Sequence, residues 1–144
     1  NFKIMKTYIF KISLLQKPKI TREIEVLESV NLYKLAEAII GAYDFDFDHC
    51  FGFFSTVSES GHYDSEKQYD LFADLKDVEP TGAGSVKKTK IKEVWEKIGD
   101  KMLFLFDYGD NWQFVVELKS VGKKDVSKKY PIIVSKTGKA PRQY

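Results

Sequence analysis

The sequence predicts an α+β domain: a mostly antiparallel sheet of about five to six strands with two helices packed on it. Three observations carry that expectation. Residues 102–118, MLFLFDYGDNWQFVVEL, set two apolar runs either side of a short polar break containing Gly109, which is the mark of a β-hairpin. Residues 7–15 and 20–27 alternate apolar with polar around a turn at Pro18, which predicts a second hairpin. Between them, Leu32, Leu35, Ala36, Ile39, Ile40 and Tyr43 recur at helical spacing and form one apolar stripe.

The central hairpin organises the rest. In its second arm Trp112, Phe114, Val116 and Leu118 share one face, and Gln113, Val115, Glu117 and Lys119 share the other. Its first arm, residues 102–106, is apolar throughout, as expected of a strand covered on both faces. In the opening hairpin Arg22 interrupts the apolar face. Either the strand begins after it or it pairs with an acidic group at the sheet's end. Asn31 is a suitable N-cap for the helix over residues 31–43.

The chain then reads Asp44-Phe45-Asp46-Phe47-Asp48-His49, with acidic groups at the helix end that its dipole disfavours. Residues 50–57 predict a strand, with Gly52 marking a bulge or a close approach. Residues 58–79 are polar and acidic, with a short helical turn expected near 71–75, and residues 80–85, PTGAGS, have the most flexible composition. Residues 90–98 predict the second helix, with Thr89 as cap, Ile91, Val94, Trp95 and Ile98 as stripe, and Gly99 as its C′ residue. A basic loop, a last short strand over 130–134 and an irregular tail over 135–144 complete the chain.

Size and composition bound the possibilities. The 144 residues suit a single domain, and 43% hydrophobic residues suffice for a core. Cys50 is the only cysteine, so neither an internal disulfide nor a thiolate zinc cage can form. That usage, with no secretory pattern at the start, gives a cytoplasmic expectation. No apolar run reaches the roughly 20 residues of a membrane span, so no membrane partner is expected. The net charge of +2 hides an asymmetry: residues 44–79 hold ten acidic and two basic side chains and carry −8, leaving +10 elsewhere. Such a division can steer a charged partner.

Four segments in order resemble one family: YIFKISLLQKPKITREIEV, NLYKLAEAIIGAYDFDFDHCFGF, FLFDYGDNWQFVVEL and YPIIVSKTGKAPRQY. Together they are similar to the plasmid Ri open-reading-frame-three-like family, small proteins of bacteria and archaea. The resemblance implies an α+β domain and supplies no activity. It hints at a mobile-element, nucleic-acid context. Three positions depart from the family pattern: Thr21 where Trp is usual, Glu23 where a second Arg is usual, and Phe114 where His is usual. Any chemistry the family performs with that His is therefore not expected in this chain.

Two constellations could carry function. Asp48 and His49, with Asp107 and Asp110 at the hairpin loop, are catalytic candidates if the two segments meet. Asp46, Asp48 and His49 are candidate ligands for Mg²⁺ or Mn²⁺ in a metal-assisted hydrolase. Asp107 and Asp110 would otherwise bind their own loop amides as Asx-turns. Lys87, Lys88, Lys90, Lys123 and Lys124, with Lys92, Lys128 and Lys129, could neutralise phosphates of a nucleic acid. Cys50 and His49 are sequence neighbours, and neighbours on a strand face opposite ways, which argues against a dyad. The reading that follows is a non-enzymatic binding or accessory domain without a cofactor, its partner a protein or a nucleic acid. Nucleic-acid association through the lysines stands second and the hydrolase third.

Overall fold

The computed structural model describes residues 4–144. It contains strands β1 (Lys6–Leu14) and β2 (Thr21–Leu27), helix α1 (Leu32–Ala42), strands β3 (Phe51–Phe54), β4 (Gln68–Asp70) and β5 (Gly84–Ser85), the single turn α2 (Ile91–Val94), and strands β6 (Lys101–Phe106), β7 (Trp112–Lys123) and β8 (Ile132–Thr137). All eight strands form one sheet, in the order β5-β4-β3-β6-β7-β1-β2-β8. The β4–β5 pair is parallel and the other pairs are antiparallel. The expected five to six strands with two helices are thus corrected to eight strands in a mixed sheet with one substantial helix.

The central hairpin sits mid-sheet. Met102, Phe104 and Phe106 face the main core with Phe114, Val116 and Leu118. Leu103 and Leu105 pack on the reverse face with Phe54, beneath Leu15, Val57 and Tyr108. On that reverse face Gln113 is fully buried; it donates to the Glu59 carbonyl at 2.8 Å and accepts from Gln16 at 2.7 Å. The polar segment after β3 therefore lies over the back of the sheet, where its Glu59 carbonyl accepts from buried Gln113.

Helix α1 covers the front. Its stripe residues are all but inaccessible, and Asn31 caps it by accepting from the Lys34 amide at 2.8 Å. Asp44 ends it in the left-handed region at φ 58°. The Asp44 amide bonds the Gly41 carbonyl and the Phe45 amide bonds the Ile40 carbonyl, which is a Schellman closure with Asp where Gly is usual.

The second helix fails for a specific reason. Trp95 takes an extended conformation (φ −96°, ψ 104°) that ends the helix and drives the indole into the core. There it is fully buried and donates from Nε1 to the Val116 carbonyl at 3.1 Å. Ile98, assigned to the stripe by spacing, is 62% exposed. Asp100 gathers the Glu96 and Lys97 amides instead. Thr89 does not cap; its carbonyl accepts from Leu32. Glu93 reaches back to the Lys90 amide at 2.6 Å.

Arg22 fits neither expectation. It lies within β2, 3% exposed, and has carbonyl partners in place of a carboxylate. Nε donates to Ala42 at 2.9 Å, and Nη1 donates to Thr21, Thr137 and Gly138. The guanidinium lies 4.8 Å from the Tyr43 ring centre. It thereby ties the end of α1 to the end of β8. That strand runs on to Thr137, beyond the predicted limit at residue 134. The stretch read as most flexible is fastened too: Asp70 accepts from Thr81, and Asp74 accepts from Ser85 and the Val86 amide.

Candidate functional site

Three features of the surface could bind or react. The first is the acidic end of the sheet. After α1 the chain alternates, with Phe45 and Phe47 turned inward and Asp44, Asp46 and Asp48 outward. Phe45 packs against Trp112 at 4.8 Å and Phe47 against Phe51 at 5.3 Å between ring centres. That alternation delivers His49 to the hairpin loop. Its Nδ1 donates to Asp48 at 2.7 Å, and its Nε2 lies 3.5 Å from Asp107. The two segments do meet.

Asp107 is 5% exposed and left-handed at φ 67°. Its Oδ1 accepts from the Gly109 and Asp110 amides, the Asx-turn geometry its position suggests. Its Oδ2 is left to face His49. Asp110 is exposed and acts on His49 through its charge. Asp46 is engaged through its backbone: the Gln143 side chain bonds both its amide and its carbonyl. Tyr144 donates to Asp48 at 2.7 Å, which lowers the Asp48 carboxyl and pushes the Tyr144 phenol up to about 12. Nothing in the sequence pointed to Gln143 and Tyr144 joining this cluster, because no local pattern signals a docked tail.

The hydrogen bond to Asp48 raises the His49 pKa, and the charges of Asp107 and Asp110 add to it against the cost of desolvation. Each ring nitrogen is turned to a carboxylate, Nδ1 to Asp48 and Nε2 to Asp107. Among the described residues no three His, Cys, Asp or Glu side chains are arranged to share a metal ion. Cys50 is half-buried, and burial pushes its thiol up, away from the thiolate a nucleophile needs. Phe114 is fully buried against Tyr43 and Phe104, so the position where the family tends to carry His faces the core in this chain.

A pH experiment follows. His49 is expected to titrate above the ordinary value of about 6.5, and Asp107→Asn to lower it. The stabilisation from this ion pair is complete below about pH 6.5 and fades as pH rises through the raised folded value. The lowered Asp48 works in the opposite sense: its share is complete above about pH 4 and fades as pH falls through its folded value. NMR titration of the two histidines reads this directly; a His49 value at or below the ordinary one in both proteins would refute the pairing.

The second feature is basic. Lys6 of β1 pairs in register with Lys123 of β7, and the Lys124 amide bonds the Met5 carbonyl. The Glu28 amide bonds the Lys6 carbonyl. Three residues on, the Asn31 side chain donates to the Lys87 carbonyl at 3.0 Å, and Asn31 bridges to Lys90. The two lysine groups, remote in sequence, therefore border one short connection at one end of the sheet. Lys6, Lys87, Lys88, Lys90, Lys92, Lys123 and Lys124 are all exposed there. This is also the positive end of α1, whose first turn carries no acid. Lys128 and Lys129 continue the surface towards β8, with Asp125 among them tied to Ser127.

The third feature is an apolar groove of about 530 Å³ between α1 and the β8 edge, with Ile24 and Val26 of β2 among its lining. No helix among the described residues is long and apolar enough to cross a membrane.

Comparison with known proteins agrees with the fold. A solved structure, a protein of unknown function (MM3350) from Methanosarcina mazei Go1, superposes with a TM-score of 0.78 at 25% identity, covering 98% of this chain and 74% of the other. No curated protein matches the chain. A family model described as plasmid pRiA4b ORF-3-like protein matches residues 6–143. With that match spanning nearly its whole length, the chain belongs to the plasmid pRiA4b ORF-3-like protein family.

Proposed function

We propose that this chain is a non-enzymatic binding domain whose ligand is the phosphate backbone of a nucleic acid, held at the lysine-bearing end of the sheet. The observation that carries the reading is the meeting of Lys87, Lys88 and Lys90 with Lys6, Lys123 and Lys124 around the connection from β2 to α1. Lysines from separate elements at one end can follow a backbone of regularly spaced charges. The ten acidic residues of 44–79 lie in the segment leading from the far end of α1 to the other sheet edge, so the charge division orients an approaching polyanion. Catalysis is disfavoured by the engagement of both His49 nitrogens with carboxylates and by the raised thiol of Cys50.

Fluorescence polarisation with single-stranded and duplex oligonucleotides at low salt tests the reading. Four or five phosphate contacts give a slope of about −4 in log K against log salt for a duplex. Lys87→Glu and Lys123→Glu should each weaken binding and flatten that slope by about 1. Absence of binding at low salt, or insensitivity to change at either lysine group, would overturn it.

A further inference from the structure

We propose that β8 and the groove beside it dock an extended acidic segment of a partner protein, which adds to the sheet as a ninth strand and seats one apolar side chain between α1 and β8. This surface begins where Lys128 and Lys129 lead away from the lysine end described above, and the proposal does not depend on that reading.

Among the described residues, strand β8 is the last of the sheet and pairs only with β2. Its outer row of amides and carbonyls is free to accept another strand. The side chains along the first half of the strand, Ile132, Ile133 and Val134, are apolar. Ile133 is opposite Ile24 in register and shares its face, where both line the groove. Val134 falls at a register shift. The two are 44% and 51% exposed. The groove has Ile24 and Val26 in its lining, with Ala38 and Gly41 from α1 and Pro131 and Ile133 from the β8 side. At 530 Å³ it has the size and the apolar character of a preformed binding site.

Gly41 strengthens the argument. It lies in the last turn of α1, where glycine weakens a helix relative to alanine. A Cβ built on it meets nothing within 4 Å, so the fold does not require the glycine. What the missing side chain leaves is space in the groove.

Charge selects the occupant. Lys128 and Lys129 lie just before β8 and Lys136 lies within it, while Lys34 and Glu37 of the groove lining pair with one another at 3.7 Å. Lysines along an edge oppose pairing with a second copy of the same edge, and they attract an acidic strand.

The test uses the full chain and fluorescein-labelled ten-residue peptides in fluorescence anisotropy. One peptide alternates Glu with Val, a second alternates Lys with Val, and a third is the Glu-Val peptide N-methylated along one edge. The Glu-Val peptide should bind at least about tenfold more tightly than the Lys-Val peptide and lose about tenfold on N-methylation. Gly41→Leu should fill the groove and cost a similar factor while leaving the unfolding curve unmoved or shifted upward. Ile133→Glu, at an exposed site, should do the same with its fold intact by circular dichroism. Equal binding of the acidic and basic peptides, indifference to N-methylation, or full binding by Gly41→Leu would each overturn the proposal. So would sedimentation showing that β8 pairs with a second copy, or an oligonucleotide that displaces the peptide.

Discussion

Trp95→Ala is expected to destabilise the protein by about 3–5 kcal/mol, the usual cost of truncating a large buried aromatic. The residue is fully buried. Its ring meets Phe10 at 4.8 Å and Phe53 at 6.0 Å, both edge-on, an arrangement favourable beyond simple burial. Its indole N–H ends on the Val116 carbonyl. Truncation removes a contact that, with buried Ile91, holds α2 on the sheet, and it opens a cavity beside β1 and β3. For a chain of this length the melting temperature should fall by about 10 °C or more. Trp95→Phe should lose less, because a ring still fills most of the space. Thermal unfolding of both variants measures the difference; a loss below about 1 kcal/mol for the alanine variant, the range of surface changes, would contradict the buried position.

Arg22→Met is expected to cost about 2–4 kcal/mol, since hydrogen bonds to a charged donor contribute about 1.5–3 kcal/mol and do not add fully. The substitution keeps much of the apolar stem and removes the fork. The carbonyls of Ala42, Thr137 and Gly138 then lose a donor that joined two elements far apart in sequence. Arg22→Lys should recover little, because one ammonium cannot reproduce the planar spread of donors. The pH dependence separates this arrangement from an ion pair. Carbonyls do not titrate, so the cost should be the same at pH 4 and pH 7. A carboxylate partner would make the cost shrink in acid. Urea titrations at both pH values decide between them.

The elements legible in the sequence are those whose pattern arises from burial on the front of the sheet. The alternation of Trp112, Phe114, Val116 and Leu118, the solid apolar run of β6 and the stripe of α1 all reflect one-sided or two-sided burial that composition records directly. What escaped is set by tertiary partners. Strands β4 and β5 are three and two residues long, too short for a period to show. Their loops are held by Asp70 and Asp74, so two carboxylates of a segment legible only as polar and acidic are fasteners. The helical spacing of Ile91, Val94, Trp95 and Ile98 was misleading because burying Trp95 required an extended backbone. Arg22 looked like a break in a strand because local pattern cannot show the chain ends that supply its carbonyl acceptors. For the candidate site, the meeting of His49 with Asp107 followed from the β3–β6 pairing. The docking of Tyr144 and the joining of the two lysine groups depend on contacts between chain segments that carry no motif.

The two margins of the sheet are unequal. On one, β5 offers only two residues, too little ladder for another strand to grip. On the other, β8 offers six. A protein with one receptive margin can end a growing ribbon of strands and cannot propagate it. If two copies paired through β8, the outer margin on each side would be the two-residue β5, so edge-to-edge pairing would close at two.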